Sequence, residues 1–264
     1  MIKVEQVKRI LEEIKPQKRG VMLVRPGVNL PTLGCLLLLA IHAGITLTGG
    51  THLPSESLRP LYETIALSWS GIKEGKVSAL LIHGFFHGDW LHVVTNAFLF
   101  FYTTARLGHV LRPVKILVLF TICSVGAGLT YVLSQAIIPT LSSDPLVGAS
   151  GGVMGMFLAQ TVIYPDSRML FLPVSGRNMG RGFLVASLLL FLMTPSLGIP
   201  MFSDLGRWMV EGFGERLFII GHLYHFAAGL MGVTTVGYLL PRLVTLEELQ
   251  SERMKREDGL TPTR

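Results

Sequence analysis

Thirty consecutive residues between Arg25 and Glu56 carry no charge, and four further windows repeat the pattern: 28 residues after Lys115, 21 after Asp144, 22 after Arg181 and 25 after Arg216. An α-helix rises about 1.5 Å per residue, so roughly 20 residues cross the ~30 Å of hydrocarbon in a bilayer, and each window is long enough. Few folds accept such segments. A backbone in hydrocarbon must satisfy its own hydrogen bonds, and a helix does so within one segment. A sixth window, Trp90 to Ala105, has only 16 residues between Asp89 and Arg106. It still crosses if Arg106 reaches toward the headgroups, Asp89 sits at the opposite interface and the bilayer thins locally. With 50% apolar and 15% charged residues, the chain is far from the balance of a soluble domain. The expectation is an all-α polytopic membrane protein, a bundle of six transmembrane helices.

The placement of Lys and Arg orients this bundle. Seven lie in residues 1–28, three in 106–115, three in 165–182 and five in 241–264, against five at Arg59, Lys73, Lys76, Arg207 and Arg216. Positive residues collect on the cytoplasmic side, which puts both termini in the cytoplasm. The net charge of +6 is then a topology signal near anionic lipid and implies no nucleic-acid partner. Three regions follow: a cytoplasmic tail over 1–28, a membrane domain over 29–241 and a second cytoplasmic tail over 242–264. Val4, Val7, Ile10 or Leu11, and Ile14 recur at helical spacing and predict a short amphipathic helix, on the membrane surface or equally a cytosolic helix or partner site. No cleavable signal peptide is expected, because the chain opens with charge. Leu243–Arg256 reads as a charged, weakly amphipathic helix. Residues 50–89 hold two prolines and two apolar patches, and read as a partly embedded loop with short helices. Cys35 and Cys123 both fall within spans, and no disulfide is expected.

Polar groups at membrane depth are costly, so those present are candidates for function. Three clusters stand out. His83, His87, His92 and Asn96 lead into the second span, with His92 and Asn96 four apart on one helix face. Gly148, Ser150 and Gly151 open the fourth. His222 and His225 open the sixth. A serine between small residues at a helix N-terminus exposes its hydroxyl beside positive potential suited to an oxyanion. A histidine at similar depth on another helix supplies the base, giving a Ser–His dyad. Counting helical rise from Asp144, Ser150 lies about 9 Å below the surface if that stretch is helical. Spans 2, 4 and 6 run the same way, so all three clusters meet near one face of the membrane.

These motifs resemble those of the rhomboid family of intramembrane serine proteases. The family's pattern H-x3-H-x4-H-x3-N is met by His83, His87, His92 and Asn96, and its G-x-S-G by Gly148, Ser150 and Gly151. The resemblance covers nearly all of the membrane domain. It implies an endopeptidase that cuts transmembrane segments of its substrates near their outer ends; that the substrates are single-span proteins is a separate expectation. Ser150 would be the nucleophile, and Asn96 and His92 would serve the oxyanion. The catalytic histidine is left between two candidates. The family has Gly at +3 and Gly at +7, and neither candidate fits fully: His225 has Ala228 and Gly232, whereas His222 has His225 and Gly229. Room for packing against Gly151 and Gly155 favours His225, and the small Gly221 before His222 favours the alternative. Bacterial members often carry a tyrosine four residues after the nucleophile that stacks on the histidine; here the residue is Met154.

Other readings of the same residues are weighed beside these. His83 and His87 lack the glutamate of a zincin, so they are expected to order a loop rather than hold a metal, and no cofactor is called for. Ser150 and Asn96 have bland readings as helix-packing residues. His42 and His109 are taken as structural. A catalytically inactive rhomboid-like protein that binds transmembrane clients is the alternative function. A transporter is disfavoured, as neither paired intramembrane charges nor a repeated half is present. A bacterial plasma membrane and a eukaryotic organelle both stay open, and the compact six-span form favours the former.

Overall fold

The computed structural model describes residues 29–49, 56–138, 141, 144–169, 172–214 and 221–240. The amphipathic helix expected before residue 28 and the charged helix expected after residue 242 lie outside the described residues. The described chain is all-α, with two isolated antiparallel bridges. Its helices are α1 (Leu30–Gly49), α2 (Arg59–Ile65), α3 (Trp69–Lys73), α4 (Ala79–Ile82), α5 (Trp90–Leu107), α6 (Pro113–Ile137), α7 (Ser150–Ile163), α8 (Gly176–Leu192), α9 (Phe202–Phe213) and α10 (His222–Leu239).

Local chemistry starts these helices where they start. Asn29 Oδ1 accepts the Thr32 N–H ahead of α1, and Asp89 Oδ1 accepts the His92 N–H at 2.8 Å to open α5. Pro113 sits at the first position of α6, where its missing N–H costs nothing. Each of the six long helices falls largely within one of the uncharged windows. Two of them, over Leu30–Thr48 and Pro113–Ile137, are long and apolar enough by themselves to cross a membrane. The apolar α7 has 14 residues, about 21 Å of rise.

The windows and the helices differ in two instructive places. The window after Asp144 predicts a helix from its start, but residues 145–149 are not helical and Leu146 pairs with Leu67. The estimate of depth for Ser150 from helical rise therefore does not hold. The window after Arg181 was read as one apolar stretch; α8 instead begins earlier, at Gly176, and stops at Leu192, since Pro195 and left-handed Gly198 (φ 64°) turn the chain into α9. The loop over 56–89 folds into α2, α3, α4 and two 3-10 turns.

At the centre lies α7, buried from Gly151 to Thr161 except at the partly exposed Met154. Its glycines admit its neighbours. A Cβ on Gly152 would meet the Phe120 ring, and one on Gly155 would meet Cys123 Sγ of α6 and, at 2.9 Å, the Ala228 carbonyl of α10. A Cβ on Gly232 would run into the backbone of Gly155. Gly151, expected to face α10, instead lies against Ala127 of α6. Val93, Phe100, Leu119, Phe120, Val153 and Met156 fill the core around this contact. Leu33, Leu36, Leu37, Leu117, Ile122, Leu133, Val185 and Leu189 point outward, as lipid-facing residues do. Gly232→Ala is expected to lower stability by about 1–3 kcal/mol through overpacking. Gly237→Ala, where a Cβ meets nothing within 4 Å, is expected to change it by less than about 0.5 kcal/mol. Denaturant unfolding of the detergent-solubilised protein measures both.

Candidate active site

The segment that delivers Ser150 is an extended strap, and almost every group along it is held. Tyr131 donates its hydroxyl to the Asp144 carbonyl, and Tyr62 donates to the Pro145 carbonyl at 3.0 Å. Leu146 exchanges two backbone hydrogen bonds with Leu67, at 2.7 and 2.9 Å. The Gly148 N–H donates to the His83 carbonyl at 3.0 Å, and the Ala149 N–H donates to His87 Nε2 at 3.2 Å. Gln135 steadies the clamp by donating to the Tyr131 hydroxyl at 2.8 Å while accepting the Trp69 N–H at 2.9 Å.

Gly148 is required twice over. Its φ is 125°, in the region that favours glycine. A Cβ there would also lie 2.7 Å from Cε1 and 2.8 Å from Nε2 of His92. The first glycine of G-x-S-G is thus explained by backbone conformation and by the imidazole packed against it. Immediately after this turn α7 begins, and Ser150 stands at its first position, partly exposed.

From α10, the imidazole Nε2 of His225 comes within 2.9 Å of Ser150 Oγ. His225 is 8% exposed. His222 opens α10 one turn earlier and is half-buried; the hydrogen bond to Ser150 is made by His225. The approach is set by the close contact of α7 and α10 at Gly155, Ala228 and Gly232.

Tyr224 precedes His225, and its ring packs edge-on against the imidazole at 4.8 Å and against Tyr131 at 5.8 Å. Its hydroxyl accepts the Gly221 N–H at 3.1 Å. A chain of aromatic contacts therefore links the strap clamp, through Tyr131, to the dyad histidine. Local sequence offers one signal for it, a tyrosine beside the histidine; the contact to Tyr131 joins residues 93 apart.

On α5, the His92 ring lies between Gly148 and the edge of His87, whose centroid is 4.9 Å away. Asn96, buried one turn deeper, donates Nδ2–H to the His92 carbonyl at 2.9 Å. His83 Nδ1 is 2.8 Å from the Ala79 carbonyl, which fixes its proton on that nitrogen. His42 packs edge-on against Trp90, and both cysteines are free thiols. Among the described residues no three His, Cys, Asp or Glu side chains gather as a metal site.

Chemically, a serine hydroxyl hydrogen-bonded to a neutral imidazole can pass its proton as it attacks a carbonyl. The N-terminus of α7 places unpaired N–H groups and positive potential beside that oxygen. The family model described as Rhomboid domain matches residues 74–241, a stretch that contains every residue of the three clusters. No curated protein matches the chain.

His87, in the loop ahead of α5, is pushed down to about 3 by burial first, and then by the neighbouring His92 and His42. Its neutral form accepts the Ala149 N–H. As pH falls below the ordinary value of 6.5, the unfolded chain takes up the proton and the folded one does not. Stability is therefore full above about pH 6.5 and is lost progressively toward pH 3. Burial lowers His83 as well, adding to the same slope. His87→Phe, which leaves the Ala149 N–H without an acceptor, is expected to cost about 1–3 kcal/mol at pH 7.5. It should also flatten the acid-side slope, and thermal unfolding across that pH range reads both effects.

Proposed function

The chain belongs to the rhomboid family of integral membrane proteins, and on that premise we propose that it is an intramembrane serine endopeptidase using a Ser150–His225 dyad. The observation that carries this reading is the 2.9 Å hydrogen bond between Ser150 Oγ and His225 Nε2. Ser150 Oγ attacks the scissile carbonyl as His225 Nε2 takes its proton. The tetrahedral oxyanion forms at the start of α7, with His92 and Asn96 as further donors. Collapse breaks the C–N bond while His225 returns the proton to the leaving amine. Water, deprotonated by His225, then releases the acyl group and restores Ser150. His222, one turn outward, is the alternative base.

The proposed setting is a single membrane domain of six spans over residues 29–241, with both termini cytoplasmic in a bacterial plasma membrane. Substrates are proposed to be single-span proteins whose helix is locally unstable, because an intact helix shields its peptide bonds with its own hydrogen bonds. The client-binding alternative uses the same fold without cleavage. Retention of both dyad residues in hydrogen-bonding geometry favours the protease.

Cleavage of a single-span substrate by the purified protein in liposomes tests the assignment. Ser150→Ala and His225→Ala are each expected to lower turnover by about 10³-fold or more, by analogy with other serine nucleophile and base deletions. His222→Ala is expected to stay within about tenfold of wild type, since a group outside the reacting pair removes far less. Equal loss with His222→Ala and His225→Ala would overturn the choice of base. A folded wild type that retains a bound substrate uncut would favour the client-binding reading.

A further inference from the structure

The helix α9, between the end of α8 and the dyad helix α10, is seated on the bundle by its small residues and not by its large apolar ones. Ser203 donates its hydroxyl to the Thr194 carbonyl at 3.1 Å and accepts the Ile199 N–H at 2.9 Å. Gly206 lies against the Met193 carbonyl so closely that no side chain would fit. The charged residues Asp204, Arg207 and Glu211 recur three and four apart and share one exposed stripe. The remaining arc carries Leu205, Trp208 and Phe213, exposed by 48%, 64% and 71%.

A helix at a protein–water boundary turns its apolar face to the core. Here the core side is Ser203 and Gly206, and the apolar arc faces away from the protein. We propose that α9 lies in the bilayer interface at the Ser150 end of the bundle, with Leu205, Trp208 and Phe213 inserted among the lipids.

Three observations commit the occupant to lipid. The helix is pinned to the end of α8, whose own outward residues Val185, Leu188 and Leu189 belong to the lipid-facing belt of an integral membrane protein, so the apolar arc continues that surface. The adjoining stripe holds an Arg207–Asp204 ion pair and Glu211, the charges an interfacial helix turns to headgroups and water. Trp208 stands at the edge of the apolar arc nearest the charged stripe, where the amphipathic indole is favoured at a membrane boundary. At 12 residues the helix is about 18 Å long, enough to lie flat with its apolar face roughly 5–10 Å deep.

The end of the bundle follows from packing. Gly180, early in α8, lies against Thr161, late in α7, so the end of α8 is beside the start of α7 and Ser150. Eight residues separate Phe213 from His222. The bilayer thereby holds α9 at the end of the bundle where the dyad lies.

The test uses the full chain in lipid nanodiscs, with nitroxide labels placed singly at Leu205, Trp208, Phe213, Asp204, Arg207 and Glu211 after Cys35→Ala and Cys123→Ala. Labels at the first three positions are expected to collide more with dissolved oxygen than with a water-soluble nickel chelate, and those at the last three the reverse. Nickel accessibility at all six, meaning a face in water, overturns the proposal. So does low accessibility to both reagents with dipolar broadening at the apolar positions, meaning a second copy covers them. If the cysteine substitutions harm folding, the native chain serves: the difference in fluorescence between wild type and Trp208→Phe reports Trp208. Lipids brominated near the headgroup are expected to dim that difference at least about twofold, as interfacial insertion requires; no dimming overturns the proposal. Neither readout needs catalysis, so the proposal is tested whether or not the protease reading holds.

Discussion

Where Gly155 of α7 meets Ala228 and Gly232 of α10, the two backbones approach so closely that neither glycine could carry a side chain. The dyad depends on this approach. Ser150 lies five residues before Gly155 and His225 seven before Gly232, each one to two helical turns from the contact and toward the same end. Widening the contact by a methyl group at Gly232 would be felt directly at the 2.9 Å Ser150–His225 hydrogen bond. In a membrane, where hydrophobic burial between helices gives little net gain, small residues that allow close van der Waals contact are the means available.

The second requirement is a backbone that arrives at Ser150 in one conformation without being helical. Extended chain next to a bundle exposes N–H and C=O groups that cost free energy unless each is partnered. The strap meets this with groups from the loop ahead of α5 and from α6: Leu67, Tyr62, His83 and His87 on one side, and Tyr131 on the other. The histidines of the H-x3-H pair thus hold the main chain that presents the nucleophile. Tyr131 then joins the strap to Tyr224 and His225 through ring contacts, so serine and histidine are steadied by one connected set of residues.

Much of this was legible in the sequence because its causes are local. Charge-free windows, an Asp before Trp90 and prolines at helix starts act over a few residues, and the long helices follow them. The clusters around His92, Ser150 and His225 were visible because polar residues are conspicuous among apolar ones. What could not be read was set by distant partners. Asp144 to Ala149 looks like the first turns of an apolar helix until Leu146 finds Leu67, nearly 80 residues away. Gly151 was assigned to α10 by spacing alone, while the rotation of α7 turns it to Ala127. The role of Tyr224 could not be read either, since only the fold brings Tyr131 across from it. The end of α8 was hidden inside a window whose lack of charge suggested one span up to Ser203, although Pro195 and Gly198 mark the turn into α9.

The account rests on Ser150 being an activated nucleophile, and labelling with a fluorescent fluorophosphonate addresses that without any need to know the substrate. Purified wild-type protein in detergent should become covalently labelled, and the label should vanish in Ser150→Ala and in His225→Ala proteins shown to be folded. Undiminished labelling of Ser150→Ala, or none of a folded wild type, would contradict it.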